Sequence, residues 1–369
     1  MERFIQLHLL TSYPPANLNR DDLGRPKTAK MGGVDRLRVS SQSLKRAWRT
    51  SSIFEQALSG HIGSRTKEMG LKIYDQLKEK GIDHKQALEW SKPIAGVFGK
   101  LKTLSKKDKD ELKKLSKEER EKKELVELEI GQLAFIDIEE ERAITALLDT
   151  IAKRKKGADS DELNLLRKKV SAVDIALFGR MLASAPAYNV EAACQVAHSI
   201  SVHPIAIEDD YFTAVDDLND GNDDAGAAHI GETGFAAGLF YSYICINNEL
   251  LINNLSGDES LANRAISALV EAALKVAPEG KQNSFASRAY ASYLLAEKGD
   301  QQPRSLSVAF LKPITGHENY DYCKDAVTAL ESQMENMDKV YGPCADRRYP
   351  INASTGDGSF DDLMNFVTE

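Results

Sequence analysis

From about Ile53 to Lys169 the sequence is helix-forming and charge-rich, and Lys102–Glu124 alone holds ten cations and seven anions between sparse leucines. A stretch of this length with so little apolar periodicity reads as a helical insertion, set between segments that carry strand patterns. Before it, Phe4–Thr11 places Ile5, Leu7 and Leu9 on one face and Gln6 and His8 on the other, and Pro14-Pro15 ends the strand. A polar loop runs on to Arg38. A helix is then predicted from Ser40-Ser41, with a hydroxyl as N-cap, an apolar stripe of Leu44, Ala47 and Trp48, and Lys45 and Arg49 beside it at i, i+4.

After the insertion, Val173–Phe178 reads as a strand ending at Gly179, and Tyr188–Ile200 as a short amphipathic helix through Val190, Ala193, Cys194 and Ala197. Residues 201–237 are strand-prone at both ends with Asn219–Asp224 as a turn, which predicts a long projecting hairpin. Phe235–Asn247 is a strand, Leu261–Val276 a helix, and Tyr290–Ala296 and Leu306–Leu311 extended pieces. Strand, helix, strand, strand, helix, strand is the ferredoxin-like order, so the fold class is α+β: a ferredoxin-like core interrupted after its first helix. The polar tail after Arg348 is expected to be poorly ordered. No internal repeat is visible.

Composition bounds the function. The chain starts on a strand pattern without a signal-like segment and has no apolar run of membrane-spanning length, so a cytoplasmic protein without membrane contact is expected. Cys194, Cys245, Cys323 and Cys344 are widely spaced, which suggests neither a zinc site nor a disulfide framework. No cofactor is called for. The net charge of −8 speaks against a polyanion partner until its distribution is considered. Between Arg20 and Arg49 stand Arg20, Arg25, Lys27, Lys30, Arg36, Arg38, Lys45, Arg46 and Arg49, opposed only by Asp21, Asp22 and Asp35. One basic face in an acidic protein points to nucleic acid.

Within that window the helix start at Ser40 is the strongest site: N–H groups and the hydroxyls of Ser40 and Ser41 suit a phosphate, Gln42 reaches toward a sugar or phosphate oxygen, and Lys45 and Arg49 add charge. The competing reading is a capped surface helix with solvated cations. Arg20 beside Asp21 and Asp22 is a phosphate anchor or a loop ion pair. The two aspartates also fit a Mg²⁺ site of a nuclease, although no further ligands are apparent. His203 and His229 flank the hairpin and invite an acid/base reading, yet no nucleophile or carboxylate partner is evident. Lys102–Glu124 and Lys153–Lys156 read as solvated helix faces.

The run Leu18-Asn19-Arg20-Asp21-Asp22, then Gly32-Gly33, then Arg38-Val39-Ser40-Ser41-Gln42-Ser43-Leu44-Lys45-Arg46-Ala47 closely resembles the N-terminal signature of the CasC family of type I-E Cascade complexes. The resemblance returns at Val173–Met181, Tyr211–Asp217, Ala228–Gly231 and Lys281–Ala286. It implies a hand-shaped subunit: a modified RNA-recognition palm (1–52, 170–200 and 229–369), helical fingers (53–169) and a thumb hairpin (201–228). The lysine/arginine-glycine-aromatic signature of free-standing RNA-recognition domains is absent, which puts base stacking on the sheet in doubt. The resemblance further implies that copies polymerise along a CRISPR RNA and present it in segments to a complementary target DNA strand, with CasA, CasB, CasD and CasE types as partners. RNA contacts would come from Arg20, Lys27, Arg38, Ser40, Ser41, Gln42, Lys45, Arg46, Arg49, Arg180, Met181, Lys281, Gln282, Ser284 and Arg304. Phe212, Thr213 and His229 would act at displaced nucleotides. No catalysis is expected; a metal-dependent endoribonuclease of the same superfamily is the alternative, and a general single-strand-binding protein a third reading.

Overall fold

A computed structural model describes residues 2–112, 114–214, 229–316 and 321–369. The chain is α+β and divides into two compact units, one of Met1–Ala57, Cys194–Glu249 and Asn263–Glu369, the other of Leu58–Ala193 and Leu250–Ala262. Residues 170–193, expected with the palm, fall in the second.

The first unit is built on an antiparallel sheet. Its strands are β1 (Phe4–Ala16), β2 (Thr28–Met31), β3 (Val34–Val39), and, in sequence beyond the short β4 (Ser64–Thr66) and β5 (Ala134–Ile136) of the second unit, β6 (Cys194–Val196), β7 (Ser199–Ser201), β8 (Glu208–Ala214), β9 (His229–Asn247), β10 (Ala291–Gly299) and β11 (Arg347–Asn352). The order is β11-β10-β1-β9-β7-β3-β2, with β6 and β8 also paired to β9. β1 lies between its two long partners, with Leu7 opposite Ile244 on one side and Ala296 on the other.

The alternation in β1 marks the strand correctly but not its exposure, because both faces are covered. Ile5 and Leu7 are buried on one face; Gln6 and His8 are buried on the other, beside Leu10. Burying polar groups is tolerated only when they are paired. His8 meets Tyr241 Oη at 2.9 Å through Nδ1 and Glu297 Oε2 at 3.0 Å through Nε2, and the Gln6 carbonyl accepts from Tyr243 Oη at 2.8 Å. Glu297 in turn holds Arg304 and Arg348. Burial pushes the Glu297 carboxyl up, but hydrogen bonds from His8 and Arg304 and the arginine charge outweigh it and hold the group ionised, well below the usual carboxylate range. Leu10, Tyr241, Leu295, Leu306, Phe310 and Leu330 pack over this face as one apolar cluster.

β1 does not end at Pro14-Pro15 but runs on to Ala16, with a register shift between Tyr13 and Ala16, and the stretch expected as a polar loop to Arg38 contains the β2–β3 hairpin. Three further segments also differ from their expected form. Val173–Phe178 is a short helix with all but its last residue buried, ended by Gly179 at φ +80°. A continuous apolar run has no period to separate strand from helix, and here the Asp174 carboxylate accepts the Gly63 N–H at 2.8 Å, fixing the segment inside the second unit. Tyr188–Ile200 is not a helix: Val190 bridges Arg180, and β6 and β7 add to β9 with Cys194 opposite Ile246 and Ile200 opposite Tyr241. Backbone pairing with a long strand overrides a four-residue coincidence of spacing. Ser307–Phe310 is a 3₁₀ turn. The tail is ordered into β11 and the helix Phe360–Thr368, which is capped by Ser359 and buries Leu363 and Val367.

The second unit holds an apolar core of helices Met69–Glu79, His84–Gly96 and Ile138–Arg154, with Ile73, Leu77, Ile94, Leu148 and Ile151 at its centre. The charged stretch forms helices Lys106–Leu112 and Lys117–Glu124, the latter with no buried residue, as a solvated helix face would be. No helix among the described residues is long and apolar enough to cross a membrane.

Candidate nucleic-acid interface

The turn 17–27 is folded by its own polar side chains. Asp21 accepts the N–H groups of Leu23 and Arg25 at 2.9 Å, Asn17 donates to the carbonyls of Gly24 and Gly234, and Gly24 sits at φ +82°. The Asp21 carboxylate is therefore a turn cap, which accounts for it without a metal. Among the described residues, no group of three or more His, Cys, Asp or Glu is placed to hold a metal ion.

Asn19 joins this turn to the helix that follows β3. Its carbonyl accepts from the Lys27 N–H at 2.8 Å and its Oδ1 from the Ser40 N–H at 2.9 Å. That helix, α1 (Ser41–Arg49), is capped by Ser40 Oγ, which accepts from the Ser43 N–H at 3.3 Å, and is anchored by buried Leu44, Ala47 and Trp48. Full burial of a side chain the size of Leu44 contributes about 1.5–3 kcal/mol. The expected cradle is partly occupied from within: Ser40 is buried as the cap, and the Ser41 N–H donates to His198 Nδ1 at 3.3 Å. Arg38 contacts the same nitrogen at 3.3 Å. Accepting there places the imidazole proton on Nε2. Burial, then the charges of Arg38 and Lys27, push the His198 pKa down, so the ring stays neutral. Around this end stand half-buried Arg38, Lys27 and Ser41 and exposed Gln42. Half-buried Lys45 and Arg49 and exposed Arg46 run along the helix, with Arg46 and Arg49 in its last turn, where cations also suit the helix dipole.

Beside the turn lies a groove lined by the cations Arg20, Arg25 and Lys281, the acids Asp209 and Glu232, and Thr233. Lys281 Nζ donates to Thr233 Oγ1 at 2.8 Å, and Arg25 pairs with Asp209 at 3.0 Å. The Lys281 loop reaches this place because residue 280 is glycine: a Cβ there would lie 2.2 Å from the Leu18 carbonyl oxygen. Gln282 and Ser284 follow on the short helix Gln282–Phe285, with Ser284 exposed. Gly280→Ala should cost about 1–3 kcal/mol of stability, the usual range for forcing an atom into a packed contact. Urea denaturation measures this; an unchanged midpoint would show that the loop moves aside freely.

Three cations from the sequence reading have other work. Arg180 is fully buried with Glu140, bonding both carboxylate oxygens at 3.0 and 2.8 Å and the Arg167 carbonyl at 2.8 Å. It is a core ion pair of the second unit and its guanidinium does not reach the surface. Arg304 is held by Glu297 and is mostly buried. Arg36, part of the basic window, is wholly buried and donates to the carbonyls of Met31, Ser201 and Phe310 at 3.3, 2.9 and 2.8 Å. It ties the β2–β3 turn down and presents no guanidinium surface to a phosphate.

On the hairpin, β8 pairs β9 from Glu208 opposite Phe235 to Ala214 opposite His229. The Phe212 ring lies across Gly231, where a Cβ would come within 2.3 Å of it, yet Phe212 remains 42% exposed; Thr213 is exposed too. The expected tip at Asn219–Asp224 and the His229 side chain lie outside what the structure describes. His203 is spent on packing: its Nδ1 faces the Pro204 carbonyl at 2.9 Å and its Nε2 accepts the Leu239 N–H at 3.1 Å. In the second unit Met181 is exposed, beside Leu133 on an apolar groove.

The model of the CT1975-like protein family matches residues 5–363. The chain belongs to this family. No curated protein matches it. Among solved structures, this CT1975-like protein is similar to a chain of a "CRISPR RNA-guided surveillance complex, pre-nicking", with 27% identity, 99% of each chain covered and a TM-score of 0.81. A chain of another "CRISPR RNA-guided surveillance complex" shares its fold at 24% identity and a TM-score of 0.71, again over 99% of each chain.

Proposed function

We propose that this CT1975-like protein acts in CRISPR defence as a non-catalytic backbone subunit of the CasC type, in a type I-E Cascade complex of the cytoplasm. It holds CRISPR RNA by its phosphates, adjoins further copies of itself along the guide, and leaves the bases to pair with target DNA, alongside CasA, CasB, CasD and CasE types. Sequence specificity is then carried by pairing and not by side chains. In this reading the first unit is the palm, the second the fingers and the β8–β9 hairpin the thumb. The neighbouring order β10-β1-β9-β7, with the helix Glu259–Lys275 between β9 and β10, is in keeping with a ferredoxin-like palm.

The observation that carries the reading is the meeting of Arg20 and Lys281 in one groove, joined through Asn19 to the start of α1. Their sequence separation makes a purely local origin for this basic site untenable. Full-length similarity to a chain of a CRISPR RNA-guided surveillance complex supports the same reading. Protein co-expressed with its partner subunits and a repeat RNA should carry RNA of one guide length, seen in the 260/280 nm absorbance ratio and by sizing. Incubated alone with repeat RNA and Mg²⁺ or Mn²⁺, it should give no cleavage. Specific products abolished by Asp21→Asn would establish the endoribonuclease instead.

A further inference from the structure

A cleft of about 230 Å³ opens in the first unit where β7 and β9 meet the segment 305–310. Buried Tyr241 and Phe310 form its inner wall, with ring centroids 5.2 Å apart; Met31, Ser305 and Ser307 line the sides and His198 the rim. The volume is below the roughly 300–1,000 Å³ of sites for drug-sized ligands and suits one small heterocycle. The wall is rigid: Tyr241 Oη is fixed by the Leu306 N–H at 3.0 Å and by His8 Nδ1 at 2.9 Å.

The cleft and the candidate phosphate site share a residue. His198 accepts the Ser41 N–H and touches Arg38 through Nδ1, and these contacts leave its Nε2–H as a donor for another partner. We propose that this cleft receives one unstacked nucleobase of the RNA strand whose phosphates lie at Arg38 and α1. Aromatic and thioether surface takes the face of the base, while the Ser305 and Ser307 hydroxyls and the His198 imidazole offer groups for its edge. An aliphatic side chain from a protein partner would desolvate those polar groups without pairing them. The proposal rests on the RNA-binding reading and adds a base site to a sheet face that lacks the usual aromatic signature.

The test uses the full-length protein and a mixed-sequence single-stranded RNA carrying 4-thiouridine, irradiated and mapped by mass spectrometry. Cross-links are expected in peptides containing Met31 or residues 305–310. Ser307→Trp, which fills the cleft from its side, should remove them and weaken binding about tenfold, the scale of one base–aromatic stack. Ser307→Ala, which removes one edge group but leaves the cleft open, should keep the cross-links and weaken binding less than Ser307→Trp does. Met31→Trp fills the cleft from another element and should act as Ser307→Trp does, so a folding defect in one variant does not decide the matter. RNA retained by wild type but cross-linked only elsewhere overturns the base site and leaves the RNA-binding reading standing. RNA not retained at all defeats both. Loss of self-association in the Trp variants with RNA cross-links unchanged would make the cleft a seat for a neighbouring copy, also overturning the proposal.

Discussion

The triple variant Arg20→Glu, Arg38→Glu and Lys281→Glu should lose RNA co-purification while keeping a wild-type urea midpoint. The three side chains come from a turn, the end of β3 and a distant loop, and none is buried, so replacing them disturbs no core packing. Each phosphate that is no longer neutralised lowers the salt slope of single-strand binding by about 0.7, so the triple should lower it by about 2. Affinity should fall by at least about 100-fold at moderate salt, alike for all sequences, because phosphates carry no base identity. An unchanged slope would mean that the groove is not on the RNA path. A slope that changes for one sequence alone would mean that bases, not phosphates, are being read there.

What the sequence made legible was local chemistry. The Ser40 cap and the Leu44–Ala47–Trp48 stripe follow from side chains acting within a few positions of themselves and stand where expected, whereas Asp21, read as an ion-pair or metal residue, caps its own turn. The basic window was legible as charge, although not as surface: Arg36 is indistinguishable in sequence from Arg38, and the carbonyls of Ser201 and Phe310 from distant segments, with that of nearby Met31, draw it inward. His198 gave no signal, since its partner Ser41 is 157 residues away. Asn19 stands inside the signature with no local feature to mark it, because its role is to join two other elements. Gly280 shows its purpose only once the Leu18 carbonyl is seen against it. The strand expected at Val173–Phe178 failed for a different reason, because an unbroken apolar run fits a buried strand and a buried helix equally well.

Arg180 offers the sharpest test of core against surface. Removing it alone, as Arg180→Met, leaves Glu140 buried and unpaired, and breaking a buried ion pair in this way costs about 3–5 kcal/mol. Urea denaturation should therefore show a large loss of stability in the single variant. Glu140 has further duties: its carboxylate accepts the N–H groups of Asp137 at 2.9 Å and Arg167 at 2.8 Å, so deleting it outright would uncap the helix Ile138–Arg154. Glu140→Gln keeps a carbonyl oxygen for one of those donors and removes the charge. Combined with Arg180→Met it should recover a large part of the missing stability, because no unpaired charge then remains inside. RNA affinity of the folded double variant should match wild type, since the guanidinium has no exposed surface from which to touch a phosphate. A single variant of normal stability with weakened RNA binding would return Arg180 to the interface and require the second unit to open around Glu140.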